Sequence, residues 1–173
     1  TFGFKDFWVR VSTHDPNDKE KYIGSMTVWE ASEAALKRLI TGRGWKFDVG
    51  VGEAAFYGPK LDFMAKDVIG REWQLSTIQL DMNLPERFEL EYVDADGSKQ
   101  RPVVIHRAIL GSTERFLGIL IEHYGGAFPV WLAPVQVLVL SVADRHADYA
   151  RALVQELSDS GIRAEADASN ETV

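Results

Sequence analysis

Cysteine is absent from all 173 residues, so neither a disulfide nor a thiolate metal site can form within the chain. Compartment does not follow from that lack alone. No run approaches the roughly 18–20 apolar residues that a membrane span requires, and the opening Thr1-Phe2-Gly3-Phe4-Lys5-Asp6 has no secretory pattern. A cytoplasmic protein is the default expectation. Basic charge is scarce as well: 19 Lys and Arg stand against 26 Asp and Glu, a net charge of −7. That is the wrong sign for a nonspecific nucleic-acid binder, so contact with RNA would need local basic groups or residues outside this segment. Repeats and low-complexity tracts are also missing, which removes solenoid and disordered-linker readings.

What is present is ordinary globular material, long enough for one domain or one and a fraction. There is no initiator Met, and Phe4 to Val11 already alternates like a strand in mid-fold, so we expect a segment of a longer protein. The periodicity predicts a helix over 26–41, with Trp29, Leu36, Leu39 and Ile40 inward, Glu33, Lys37 and Arg38 outward, and Gly42 closing it. Strands are predicted near 45–51, 61–67, 71–80, 87–94 and 99–109, the last two joined by the turn Asp94-Ala95-Asp96-Gly97. A helix over 112–124 completes an α+β unit, an antiparallel sheet with flanking helices. Glycine and proline then interrupt both periodicities between Gly125 and Pro134. Beyond them the apolar run Val135 to Val142, a helix over 146–160 with Tyr149, Leu153 and Leu157 on one face, and Ile162 to Ala166 follow in βαβ order. That order suits a parallel sheet covered on both faces.

Several polar residues sit where a plain core would not carry them. His106 lies in an apolar strand, with Val104, Ala108 and Leu110 on its side of the alternation and Arg107 on the other. A lone histidine there is more often a hydrogen-bonded core residue than a metal ligand. Arg115 falls in the opening turn of the 112–124 helix, where the free amides make a cation unfavourable unless an anion shares the site. A surface arginine is the alternative. Ser112 reads as the N-cap. Thr77 and Gln79 share a strand face, as ligand contacts or as the polar side of a half-exposed strand. Tyr57, before Gly58-Pro59, suits an aromatic anchor for a turn.

The run from Val103 to Leu120 resembles motif 3 of the class II aminoacyl-tRNA synthetases, in wording most like their threonine-specific members. Glu53 to Lys60, Trp73 to Asp81 and Phe128 to Gln136 match in the same order and approximate spacing, so the resemblance spans essentially the whole chain. It implies the C-terminal portion of a class II catalytic domain over 1–128, a linker over 129–134, and the start of an α/β anticodon-binding domain over 135–173.

The resemblance also implies roles. Lys60 and Arg115 would serve catalysis, Lys60 near the carboxylate and α-phosphate and Arg115 at the nucleotide and its γ-phosphate, where a forked, permanently charged guanidinium is suited. Tyr57, Gln79 and Thr77 would line a threonine pocket, with Leu75 as an apolar wall. Gln74, Ser112 and Arg115 would meet ATP. His106 would be one of three zinc ligands, the other two lying outside the segment, with an open position that reads the threonine hydroxyl. The implied activity is activation of threonine with ATP and Mg²⁺, followed by transfer to tRNA(Thr), by a protein that dimerises when complete. Other readings stay open: a prolyl or seryl relative, a silent synthetase-like regulatory module, or a segment that does nothing by itself.

Overall fold

The structure is a computed structural model and describes residues 2–169. The chain divides into two compact units, Thr1–His123 and Tyr124–Val173. In the first, the strands β1 (Phe7–Thr13), β2 (Phe47–Val51), β3 (Lys60–Lys66), β4 (Glu72–Asp81) and β7 (Val104–Ala108) form one sheet in the order β2-β1-β3-β4-β7. Every neighbouring pair is antiparallel except β1 and β2, which run parallel because the helix α1 (Met26–Gly42) crosses over between them. The alternation sorts the strands into two faces. Val9 and Val11, Leu61 and Phe63, and Ile78 and Leu80 point to one side, where they meet Leu36 and Ile40 of α1 in the main core. The opposite face carries polar residues.

Within α1 the buried positions are Trp29, Glu33, Leu36 and Ile40, at the spacing of one helical face. Glu33 therefore points inward, against the expectation, because its place in the period outweighs its charge. Its carboxylate is matched there: Oε1 accepts from the His14 backbone N–H at 2.8 Å and lies 2.7 Å from His14 Nδ1. Leu39, expected inward, is exposed, one step off the buried stripe. The helix runs through Gly42, and Gly44 takes the left-handed conformation just beyond it.

The region expected as two long strands over 87–94 and 99–109 is built differently. Residues Asn83–Arg87 form a short helix, α2, started by Asp81, whose Oδ1 accepts from the backbone N–H groups of Asn83 and Leu84. Only Tyr92–Val93 (β5) and Lys99–Gln100 (β6) pair, as a small separate hairpin around the Asp94 to Gly97 turn. β7 begins afresh at Val104 as an edge of the main sheet, followed by α3 (Thr113–Tyr124).

The second unit pairs β8 (Val137–Leu140) in parallel with β9 (Ala164–Asp167), joined by α4 (Ala147–Asp159). Ala150 is buried on α4, with Leu153 and Leu157 half-buried; Tyr149, expected beside them, is 72% exposed and lies outside that stripe. Leu138 and Leu140 are also exposed, so within the described residues β8 is covered on one face and not on both. No helix among the described residues is long and apolar enough to cross a membrane.

Candidate active site on the open sheet face

Strand register, more than sequence proximity, assembles the polar face. Ser12 on β1 pairs with Lys60 on β3, Lys60 with Gln79 on β4, and Gln79 with His106 on β7, so one transverse row carries four polar side chains. In the adjacent row Arg10 pairs with Asp62, Asp62 with Thr77, and Thr77 with Ala108. The sequence-predicted residues Lys60, Thr77, Gln79 and His106 are therefore neighbours.

Gln74 joins them through an irregularity. By alternation it should face away from Thr77, but the β3 to β4 register slips so that Phe63 opposes Ser76 while Met64 opposes Gln74, leaving Leu75 as an extra, buried residue. The bulge turns Gln74 onto the face of Thr77. Its Nε2 donates to Asp62 Oδ1 at 2.7 Å and to Thr77 Oγ1 at 2.8 Å.

Tyr57 reaches the row from a loop that passes unusually close to β4. A Cβ placed on Gly58 would stand 1.8 Å from the Leu80 carbonyl oxygen, so only glycine lets the loop lie here. Leu80 N–H donates to the Pro59 carbonyl at 3.0 Å and seals the approach. The Tyr57 hydroxyl then donates to Gln79 Oε1, and its ring stands edge-on to His106 with centroids 5.8 Å apart. Burial, aided by the Asp81 charge, raises the Tyr57 pKa and keeps that hydroxyl a donor.

His106 is not a core histidine: its side chain is 40% exposed on an edge strand. Its Nε2 lies 2.9 Å from Asp81 Oδ2, and Asp81 is 2% exposed. Burial works against ionisation of Asp81, but the hydrogen bond from His106 and the N–H groups of Leu84 and Asn83 outweigh it and hold the carboxyl below its usual range. With Nε2 committed to a carboxylate, Nδ1 remains as the imidazole lone pair. A metal-ligating histidine is commonly held in this way, so His106 fits the role of one ligand. The described residues contain no group of three or more His, Asp or Glu side chains that would complete a metal site.

At the far end Arg115 leaves the first turn of α3, where its backbone N–H donates to Ser112 Oγ at 3.2 Å, so Ser112 caps the helix. The guanidinium donates to the Gln74 carbonyl at 3.2 Å and sits 6.0 Å from the Trp73 ring centre. Gly111, with φ of 72°, carries the chain from β7 into α3; a Cβ there would meet the Leu75 carbonyl oxygen at 2.9 Å. Gln74, Leu75, Thr77, Gln79, Gly111 and Arg115 thus border a shallow depression of about 200 Å³. It offers a forked cation at one end and two amide side chains along its floor, an arrangement suited to a phosphorylated ligand bearing hydroxyls.

Sequence reasoning overlooked Asp62 and Asp81, the two buried acids under this face. Their signal was in the strand pattern: Asp62 is two residues from Lys60, and Asp81 two from Gln79, so each shares a face with a predicted residue.

Comparison with known proteins places these features in a family. Residues 1–124 match the tRNA synthetase class II core domain (G, H, P, S and T), and residues 136–173 the anticodon binding domain. The chain is 53% identical over 171 residues to a threonine–tRNA ligase of Acidobacterium capsulatum, covering 99% of this chain and 25% of that protein. A threonine–tRNA ligase of Deinococcus deserti is 54% identical over 170 residues, covering 98% and 26%. The chain thus spans about a quarter of the length of these curated relatives. Among solved structures, the RNA binding domain of threonyl-tRNA synthetase from Cryptosporidium parvum superposes with a TM-score of 0.87 at 40% identity, covering 99% of this chain and 42% of that one.

Proposed function

This chain belongs to the class II aminoacyl-tRNA synthetases, and on that footing we propose that the protein containing it is a threonine–tRNA ligase of the cytoplasm that activates threonine with ATP and esterifies tRNA(Thr). The observation that carries the substrate choice is the row Lys60, Gln79, His106 with Tyr57 above it, together with about half identity to threonine–tRNA ligases over nearly the whole chain.

Activation joins the threonine carboxylate to the α-phosphorus of ATP as pyrophosphate leaves, and then a ribose hydroxyl at the tRNA terminus takes the threonyl group from the adenylate as AMP leaves. Charge gathers on phosphate oxygens in the first step. Lys60 meets it from the sheet row and Arg115 from the helix start, fixed cations that need no protein nucleophile between them. Tyr57 and Gln79 border the amino-acid side, and Gln74 and Ser112 the nucleotide side; Mg²⁺ accompanies ATP and rests mainly on its phosphates. His106, through Nδ1, would hold zinc with two ligands from outside this segment. Bound there, the metal would supply a Lewis-acidic position that binds the amine and hydroxyl of threonine and leaves valine poorly satisfied. The complete protein is proposed to act as a dimer, its contact with tRNA extending to the unit that begins at Tyr124.

The test is threonine-dependent exchange of pyrophosphate into ATP by the complete protein. Exchange with threonine well above that with valine, serine or proline supports the reading. Equal or better exchange with proline or serine overturns the substrate.

A further inference from the structure

Asp62 is 2% exposed, yet its carboxylate takes hydrogen bonds from three side chains and an ion pair from a fourth, on three strands. Oδ2 lies 2.8 Å from Ser12 Oγ and 2.6 Å from Lys60 Nζ; Oδ1 lies 2.7 Å from Gln74 Nε2 and also accepts from Thr77 Oγ1. Burying a carboxylate is costly and is offset only when its lone pairs are filled, as they are here. An apolar side chain would occupy the position without that cost. Three of the donors it gathers, Lys60, Gln74 and Thr77, are groups assigned to the two ligands.

We propose that Asp62 is a positioning residue for nucleotide and amino acid together: it fixes the amide of Gln74 so that Oε1 is presented as an acceptor for a ribose hydroxyl, and it holds the Lys60 ammonium ready for an anionic ligand. The inference rests on the ligase reading above and deepens it. An ionised carboxylate has no proton to give, so Gln74 must turn Nε2 toward it. Thr77 donates its single hydroxyl hydrogen to Asp62 and can only accept from Gln74, as the 2.8 Å contact to Nε2 allows. The three groups have one self-consistent sense, and Oε1 is what Gln74 has left to offer. Beside it Arg115, anchored on the Gln74 carbonyl, offers donors to phosphate, so the pair matches a ligand that carries hydroxyl donors and a phosphate chain. Lys60 hangs on the other oxygen of the same carboxylate, which ties its position to that of the nucleotide-facing amide.

The experiment compares ATP, 2′-deoxy-ATP and 3′-deoxy-ATP in threonine-dependent pyrophosphate exchange by the complete protein, as wild type, Asp62→Asn and Gln74→Met. The wild type should prefer ATP over at least one deoxy analogue. An asparagine at 62 can donate as well as accept, which frees Gln74 to turn, so the preference should shrink by roughly threefold to tenfold, the effect of one neutral hydrogen bond. Gln74→Met should shrink it equally, and the double variant should lose no more than either. Only Asp62→Asn should also raise KM for threonine, through Lys60. A wild type indifferent to both analogues, or a folded Asp62→Asn protein with the wild-type preference and threonine KM, overturns the proposal. Should Asp62→Asn fail to fold, as judged by circular dichroism, Asp62→Ser, whose hydroxyl also donates as well as accepts, takes its place and is read by the same two criteria, and an undiminished preference in the exposed Gln74→Met variant overturns the proposal in either case. Failure of the ligase reading is distinct, since no threonine-dependent exchange would then occur even in the wild type.

Discussion

Arg115 is placed at the helix start that electrostatics disfavours for a cation, and its guanidinium donates to the Gln74 backbone carbonyl. Under the proposed function that placement serves the nucleotide. Replacing it by alanine in the complete protein should lower threonyl-adenylate formation by on the order of 10²-fold or more, as loss of a transition-state charge contact does. Single-turnover formation of the adenylate measures it, and an unchanged rate would make Arg115 a surface residue. His106→Ala should lower both the zinc content of the complete protein and its preference for threonine over valine while ATP binding survives. Metal analysis that finds full zinc in the variant would contradict the ligand role. Three carboxyls, Asp48 beside Arg10, Asp67 in the turn before β4, and Asp81 beside His106, are held below the usual range. A lowered folded pKa contributes stability above the unfolded value of about 4 that is lost as pH falls through the folded value. Denaturant midpoints should therefore be level near neutrality and fall below about pH 4, with a shallower fall in Asp81→Asn; an identical acid limb in that variant would remove Asp81 from the account.

At the scale of elements, what could be read from the chain was whatever a single period encodes. The helix over 26–41, β1 to β4 and the 112–124 helix follow directly from spacing, and Trp29, Leu36 and Ile40 are buried as that spacing requires. Glu33 was misread because charge was given more weight than period, and the partner that makes its burial tolerable, His14, lies 19 residues away. The hairpin expected at Asp94 to Gly97 forms, but of the strands over 87–94 and 99–109 only Tyr92–Val93, Lys99–Gln100 and Val104–Ala108 are built; ahead of the first, Asp81 accepts from the N–H groups of Asn83 and Leu84 and opens a short helix, a contact that no window of alternation contains. The candidate residues could be named one by one, but their meeting could not, since cross-strand register and the bulge at Leu75 bring Gln74 beside Thr77 and Lys60 beside Gln79. Gly58 shows how closely the elements approach. Gly58→Ala has no space for its Cβ against the Leu80 carbonyl, so it should destabilise the unit by about 1–3 kcal/mol or more and shift Tyr57 away from Gln79. A denaturation midpoint equal to wild type would show that the loop stands off β4.

At the scale of the whole molecule, the segment carries one proposed zinc ligand and one side of a nucleotide site, so by itself it should make no threonyl-adenylate. Two reactants must be held together for that step, and a single open sheet face holds neither firmly. The complete protein supplies the comparison. Its exchange of pyrophosphate into ATP, measured side by side with threonine, valine, serine and proline, tests the central claim most directly. The account predicts exchange with threonine well above the other three; exchange that proline or serine supports as well as threonine would contradict it.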